Sequence, residues 1–190
     1  MTIEVGVLAL QGDFAAHAAA LAEAGATPRE VRIPADLEGL RGLVLPGGES
    51  TTMLRLMDAA GLEPAIRAFH AAGRPVLGTC AGLILLASEV RNPAQRSLGL
   101  LDVTVARNAY GRQADSFEAP VEGAGPLAGA PLEAVFIRAP RLERLGPGVE
   151  VLARQQGTPV LVREGNVLAG AFHPELTADR RVHRLFVGMC

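Results

Sequence analysis

The chain has 190 residues and a formal net charge of −2; 49% of its residues are hydrophobic, only 4% are aromatic and none is Trp. This predicts a single domain over 1–190 with an aliphatic core of Ala, Val, Leu and Ile. The charge argues against nonspecific nucleic-acid binding, and with all 18 basic residues being Arg there is no lysine for Schiff-base chemistry.

In chain order, residues 3–10 are apolar and β-rich enough for a buried strand. Asp13 is placed to cap a helix through Glu23, closed by Gly25. Residues 29–33 predict a second strand. Residues 42–45 predict a short buried strand that ends at Pro46-Gly47-Gly48, after which Ser50 caps a helix to about Ala60. Residues 62–72 predict a further helix stopped by Gly73, and 76–78 a strand leading into an apolar helical run over 83–87. This alternation predicts an α/β fold: three layers, with a mixed, mostly parallel sheet and helices on both faces. In such sheets the site lies beyond the carboxyl ends of the strands, where both Gly47-Gly48 and Cys80 fall.

The second half changes character. Short strands are predicted over 101–106, 116–121, 133–137, 149–155, 159–162 and 167–172, several of them antiparallel, with a soft surface loop over 123–131. Thr177 or Asp179 caps a last helix through Met189. No basic N-terminal region or membrane-length apolar run is visible, so a cytoplasmic protein without a membrane partner is expected, with Cys80 and Cys190 both reduced.

Gly78-Thr79-Cys80-Ala81-Gly82 carries the chemistry. A strand, a glycine-flanked nucleophile and a helix make a nucleophile elbow, here with cysteine as the nucleophile. Free N–H groups at the helix start favour negative charge on sulfur. The competing reading is an inert, packed cysteine, which would not require the flanking glycines. Phe172-His173-Pro174-Glu175 supplies a base and an orienter: His173 can take the thiol proton, and Glu175, two residues on along an extended segment, can hold the imidazole. A surface His-Pro-Glu turn is the alternative. Pro46-Gly47-Gly48-Glu49-Ser50 leaves backbone N–H groups bare, so Gly48 and Ala81 can form an oxyanion hole; a plain tight turn is the alternative. His17, His70 and His183 read as ordinary helix-face residues, and no His has metal-ligand spacing, so no metal is expected.

Together these motifs resemble the class I (triad) glutamine amidotransferases. Leu8 through Phe14, Pro46 through Thr52, Gly111 through Glu118 and Phe136 through Pro140 narrow the resemblance to the glutaminase subunit of pyridoxal 5′-phosphate synthase. It runs from Ile3 to about Asp179. The resemblance implies hydrolysis of L-glutamine to glutamate and ammonia, without a cofactor. It implies delivery of the ammonia to a separate synthase subunit that combines it with ribose 5-phosphate and glyceraldehyde 3-phosphate. A 12 + 12 assembly is likewise the family's pattern. It assigns glutamine binding to Gly48, Glu49, Ser50, Arg107, Ile137 and Arg138, and sets the Gln11-Gly12-Asp13-Phe14 loop beside the oxyanion strand, facing the partner. A guanidinium fork suits the carboxylate of a zwitterionic substrate. The rivals are another triad glutaminase, such as the imidazole glycerol phosphate synthase subunit; a cysteine peptidase or glyoxalase, which usually has His where Ala81 stands; and a noncatalytic scaffold. Glu49 through Thr52 and Gln113 through Glu118 oppose the first, and an intact Cys80, His173 and Glu175 oppose the last.

Overall fold

The computed structural model describes residues 2–107 and 116–190. Twelve strands are described: β1 (Ile3–Leu8), β2 (Ala26–Val31), β3 (Gly42–Leu45), β4 (Val76–Thr79), β5 (Ala87–Arg91), β6 (Leu101–Ala106), β7 (Ser116–Gly123), β8 (Leu132–Ile137), β9 (Arg141–Leu145), β10 (Glu150–Gln155), β11 (Thr158–Glu164) and β12 (Val167–Gly170). The helices are α1 (Phe14–Glu23), α2 (Ser50–Ala59), α3 (Leu62–Ala71), α4 (Ala81–Leu86) and α5 (Arg181–Val187). No helix among the described residues is long and apolar enough to cross a membrane.

Nine strands form one sheet in the order β2-β1-β3-β4-β12-β11-β10-β7-β8, and β5-β6-β9 form a second. The four pairings from β2 to β12 are parallel, whereas the four from β12 to β8 are antiparallel. The α/β reading holds, but the large sheet is parallel in only half of its pairings. Among the described residues no α-helix intervenes between α4 and α5, and within the large sheet the strands over 116–170 pair with one another antiparallel, β10, β11 and β12 through two-residue turns. Strands β3, β4 and β12 are buried along their whole length, so both faces of the sheet centre are covered.

Several boundaries differ from the sequence expectation. β1 stops at Leu8 and β12 at Gly170, which frees the segments after them to form the site. β2 begins at Ala26 because its pairing with β1 starts there, Ile3 opposite Ala26. β5 and β9 were not expected; their charged, half-exposed sequences hide the alternation until they pair with β6. The predicted loop over 123–131 contains a 3-10 turn, Gly125–Leu127, that buries Leu127. The core is mostly aliphatic, but Phe136, Phe172 and Phe186 sit fully buried within it, with Phe136 stacked on Phe117 at 4.7 Å.

The elbow glycine Gly82 is fixed by packing. A Cβ there would lie 2.0 Å from the Leu45 carbonyl oxygen, so α4 can approach β3 only without a side chain at this position. Gly82→Ala is therefore expected to cost about 1–3 kcal/mol of stability, measured as a lower urea midpoint with an unchanged slope. An unchanged midpoint would show that this close approach is not required.

Candidate active site

Four adjacent strand ends build the site. Because β1, β3, β4 and β12 run parallel, their carboxyl ends open on one side, carrying respectively Gln11 and Asp13, Gly47 through Ser50, Cys80, and His173 with Glu175. Register brings the last two together: Gly170 lies opposite Thr79, and the Cys80 N–H donates to the Gly170 carbonyl at 2.9 Å. Cys80 stands between β4 and α4 with φ 49° and ψ −104°, a strained conformation for a residue with a side chain. That is the backbone of an elbow, and it lifts the sulfur toward the pocket.

The His173 imidazole is held on several sides. Its Nδ1 lies 2.7 Å from Glu175 Oε1 and 3.5 Å from Asp13 Oδ2, and its backbone N–H donates to Val135 of β8 at 2.8 Å. With Nδ1 engaged by Glu175, the nitrogen left for the Cys80 sulfur is Nε2. Burial works against a charged imidazole here, but the Cys80 and Glu175 contacts outweigh it and raise His173 to about 10. These contacts favour the imidazolium form of His173 beside the sulfur. The His173–Glu175 contact does not come from a continuing strand: β12 has ended, and Glu175 lies in a 3-10 turn, Pro174–Leu176, that folds its carboxylate back under the ring.

The glycine loop packs directly on this imidazole. A Cβ on Gly47 would stand 2.3 Å from His173 Cε1, which explains the glycine. The loop is latched to the segment after β1: the Asp13 N–H donates to the Gly47 carbonyl (3.2 Å), and the Glu49 N–H donates to Gln11 Oε1 (2.8 Å). The expected adjacency of Gln11-Gly12-Asp13-Phe14 and the oxyanion strand is therefore present. The α2 cap differs from expectation: Glu49, not Ser50, is the cap, and its carboxylate accepts from the N–H groups of Thr51 and Thr52. Burial pushes the Glu49 carboxyl up, yet these hydrogen bonds prevail and hold it below its ordinary range. Ser50 Oγ instead donates to Gln95 Oε1 at 3.1 Å.

A pocket of about 300 Å³ opens over Cys80 and His173. All six residues expected to bind substrate line it: Gly48, Glu49, Ser50, Arg107, Ile137 and Arg138. Arg107 comes from the end of β6, with Nη2 at 3.3 Å from Glu49 Oε1. Ile137 and Arg138 come from the end of β8, and the Cys80 thiol lies 3.8 Å from the Ile137 carbonyl oxygen. Gln11, Asp13 and Ile84 also line the pocket, beyond the expected site residues; Asp13, expected to cap α1 as well as to lie in the loop beside the oxyanion strand, makes no side-chain cap hydrogen bond. Asp13, His173 and Glu175 bring one donor atom each within 4.8 Å of one another, but the nitrogen is the Nδ1 already paired with Glu175. Gly111 through Asp115, part of a segment that carried the resemblance, lie outside the described residues.

Two histidines depart from expectation. His17 and His183 are fully buried, with His17 beside Glu175 and Thr79, rather than spread on helix faces, while His70 is only partly buried. Cys80 and Cys190 are both free thiols; burial pushes the Cys190 thiol up to about 11.

Residues 7–190 match the model of the SNO glutamine amidotransferase family. The chain belongs to that family. It is 57% identical to the pyridoxal 5′-phosphate synthase subunit PdxT of Deinococcus radiodurans, over 97% of this chain and 96% of the relative. It is 52% identical to the subunit of the same name from Desulforudis audaxviator, with 97% of each chain covered. A crystal structure of a glutamine amidotransferase superposes with a TM-score of 0.91 at 51% identity, again over 97% of each chain. PurLQS from Thermotoga maritima, at 18% identity and a TM-score of 0.74, shares the fold. Membership in the glutamine amidotransferase family excludes the peptidase and glyoxalase readings, and the class I amidotransferase-like fold stands.

Proposed function

We propose that this chain, as one glutaminase domain over 1–190, hydrolyses L-glutamine to L-glutamate and ammonia. The ammonia passes to a separate synthase subunit that makes pyridoxal 5′-phosphate, in the cytoplasm and in the 12 + 12 assembly that the resemblance implies. The observation that carries the chemistry is the ring of His173, held through Nδ1 at 2.7 Å by Glu175 and sharing with Cys80 the floor of a pocket with an acidic and a basic rim. The kinship to two subunits named for pyridoxal 5′-phosphate synthase supports the destination of the ammonia.

In this reading the zwitterionic end of glutamine meets charges of both signs. Glu49 faces the ammonium, and Arg107 and Arg138 face the carboxylate. Ser50 and the Ile137 backbone fix the side-chain amide over Cys80. The Cys80 sulfur attacks the amide carbon, and the N–H groups of Gly48 and Ala81 take the developing oxyanion, each worth about 3 kcal/mol of barrier. His173, already imidazolium, gives its proton to the departing ammonia, leaving a thioester on Cys80. The neutral imidazole then draws a proton from water, whose oxygen attacks the thioester; glutamate leaves, and sulfur and imidazolium are restored. Glu175 keeps Nδ1–H pointed away from sulfur throughout.

The latch on the glycine loop suggests control. The Gly47 carbonyl is held by the Asp13 N–H, so turning the 47–48 peptide to reshape the oxyanion hole requires breaking a bond made by the loop expected to face the synthase. Supplied with L-glutamine, ribose 5-phosphate and glyceraldehyde 3-phosphate, the chain with its synthase subunit is expected to form pyridoxal 5′-phosphate. It is also expected to release ammonia faster than it does alone. Absence of glutamine-dependent product would refute the assignment, and equal ammonia rates with and without the partner would refute the control.

A further inference from the structure

Beneath the triad lies a buried polar chain that no step above uses. Glu175 has no exposed side-chain surface. One oxygen, Oε1, takes His173; the other, Oε2, has no well-aligned hydrogen bond among the described residues. The nitrogen that faces it is His17 Nε2 of α1, at 3.2 Å, obliquely placed and also 2.9 Å from Thr79 Oγ1, the residue before Cys80. Behind it, His17 Nδ1 lies 3.1 Å from His183 Nε2 of α5, and the far nitrogen, His183 Nδ1, is buried without a partner among the described residues.

The unpartnered far nitrogen and the buried carboxylate set the protons. A lone pair on His17 Nε2 would face an anionic oxygen at 3.2 Å, so Nε2 carries the hydrogen and shares it between Glu175 Oε2 and Thr79 Oγ1. Nδ1 is then an acceptor and takes the N–H of His183 Nε2. That leaves His183 Nδ1 as a bare acceptor, which is tolerated in a core far better than an orphaned N–H. Both rings are neutral: burial first, then the neighbouring His183 and His173, hold His17 well below its ordinary value, and burial with Arg180 takes His183 down to about 4 against the opposing pull of Glu23.

We propose that His17, its tautomer set by His183, is a positioning residue that holds Glu175 so that Oε1 stays aimed at His173, extending the triad into a buried five-residue array tied to the elbow through Thr79. The proposal rests on the reading of Cys80, His173 and Glu175 as the reacting groups. Its physical basis is that a buried carboxylate with a single partner can rotate or take up a proton, and either change misaims the imidazole.

Two polar variants separate positioning from mere packing. In H17N the amide reaches the place of Nδ1 and keeps the His183 contact but stops short of Glu175; in H17Q the amide nitrogen reaches the place of Nε2. The full chain, assembled with its synthase subunit, is assayed for ammonia release from L-glutamine. H17N is expected to lower kcat by about 10- to 100-fold with KM changed by less than about twofold, since His17 does not line the pocket. Its alkaline limb of kcat/KM is expected to move to lower pH, because a misaimed Glu175 supports the His173 imidazolium less well. H17Q is expected to keep kcat within about fivefold of the parent. If the two variants are equally active or equally impaired, or if the alkaline limb of H17N does not move, the proposal is overturned. C80A, assayed alongside, separates the two readings: an active C80A defeats the triad itself, whereas an inactive C80A with a fully active H17N defeats only the role of His17.

Discussion

Cys80→Ala is expected to remove ammonia release almost completely, by about 10⁴-fold or more, while leaving the circular dichroism spectrum and the urea midpoint near those of the parent. The size follows from the chemistry. Without sulfur there is no covalent intermediate, so one difficult displacement is no longer split into two easier ones. In the proposed reading the oxyanion N–H groups and the glutamine-binding rim are untouched, so substrate binding should survive and glutamine should still protect the variant against thermal unfolding. The stability should hold because alanine keeps the small volume and the packing around Cys80, which is already 93% shielded, at 7% exposure. The measurement is glutamate formation from L-glutamine in the presence of the synthase subunit, with an electrophilic glutamine analogue as a second readout. Parent protein should be labelled at Cys80 and the variant should not. Substantial residual turnover would mean that another group attacks the amide.

Glu175→Gln is expected to give the second-largest loss, about 10²- to 10⁴-fold in kcat with a small change in KM. The substitution preserves shape and removes charge. His173 then loses one of the contacts that raise it to about 10, so its charged form is disfavoured and its value falls toward the ordinary imidazole range. Burial, which already opposes the imidazolium, works against it with less resistance. The amide can also present an N–H to Nδ1, which stabilises the wrong tautomer and turns the ring nitrogen facing sulfur into an N–H at the step that needs a lone pair. A pH titration of the His173 ring by NMR checks the first effect: the midpoint should move down. An unchanged midpoint together with parental kcat would remove Glu175 from the mechanism.

Much of this was legible without coordinates, for reasons particular residues make plain. The elbow could be read because Gly78 and Gly82 bracket Cys80 within five residues, and the structure shows why neither carries a side chain: a Cβ on Gly78 would meet Leu86 at 2.5 Å, and one on Gly82 the Leu45 carbonyl oxygen at 2.0 Å. The parallel half of the sheet was legible because β1, β3 and β4 are short apolar runs separated by helix-forming segments. β5 and β9 were not, since strands such as Ala-Ser-Glu-Val-Arg and Arg-Leu-Glu-Arg-Leu draw their order from pairing with β6 rather than from their own pattern.

The sequence by itself determined the chemical parts: a glycine-bracketed thiol, a His-Pro-Glu segment, a double-glycine turn and acidic and basic residues suited to an amino acid. Each is a local pattern carried within a few residues, even where, as at Gly47 and Gly82, a distant neighbour is what requires the glycine. Only the tertiary structure decided how the parts face one another. The contact of His17 with Glu175, with Thr79 62 residues away and with His183 166 residues away has no sequence period to announce it. It exists because α1 and α5 pack together beside the sheet and bury both rings below the strand ends. Burial is also what makes the arrangement matter, since charge and hydrogen bonding in a dry site are worth far more than the same groups in water.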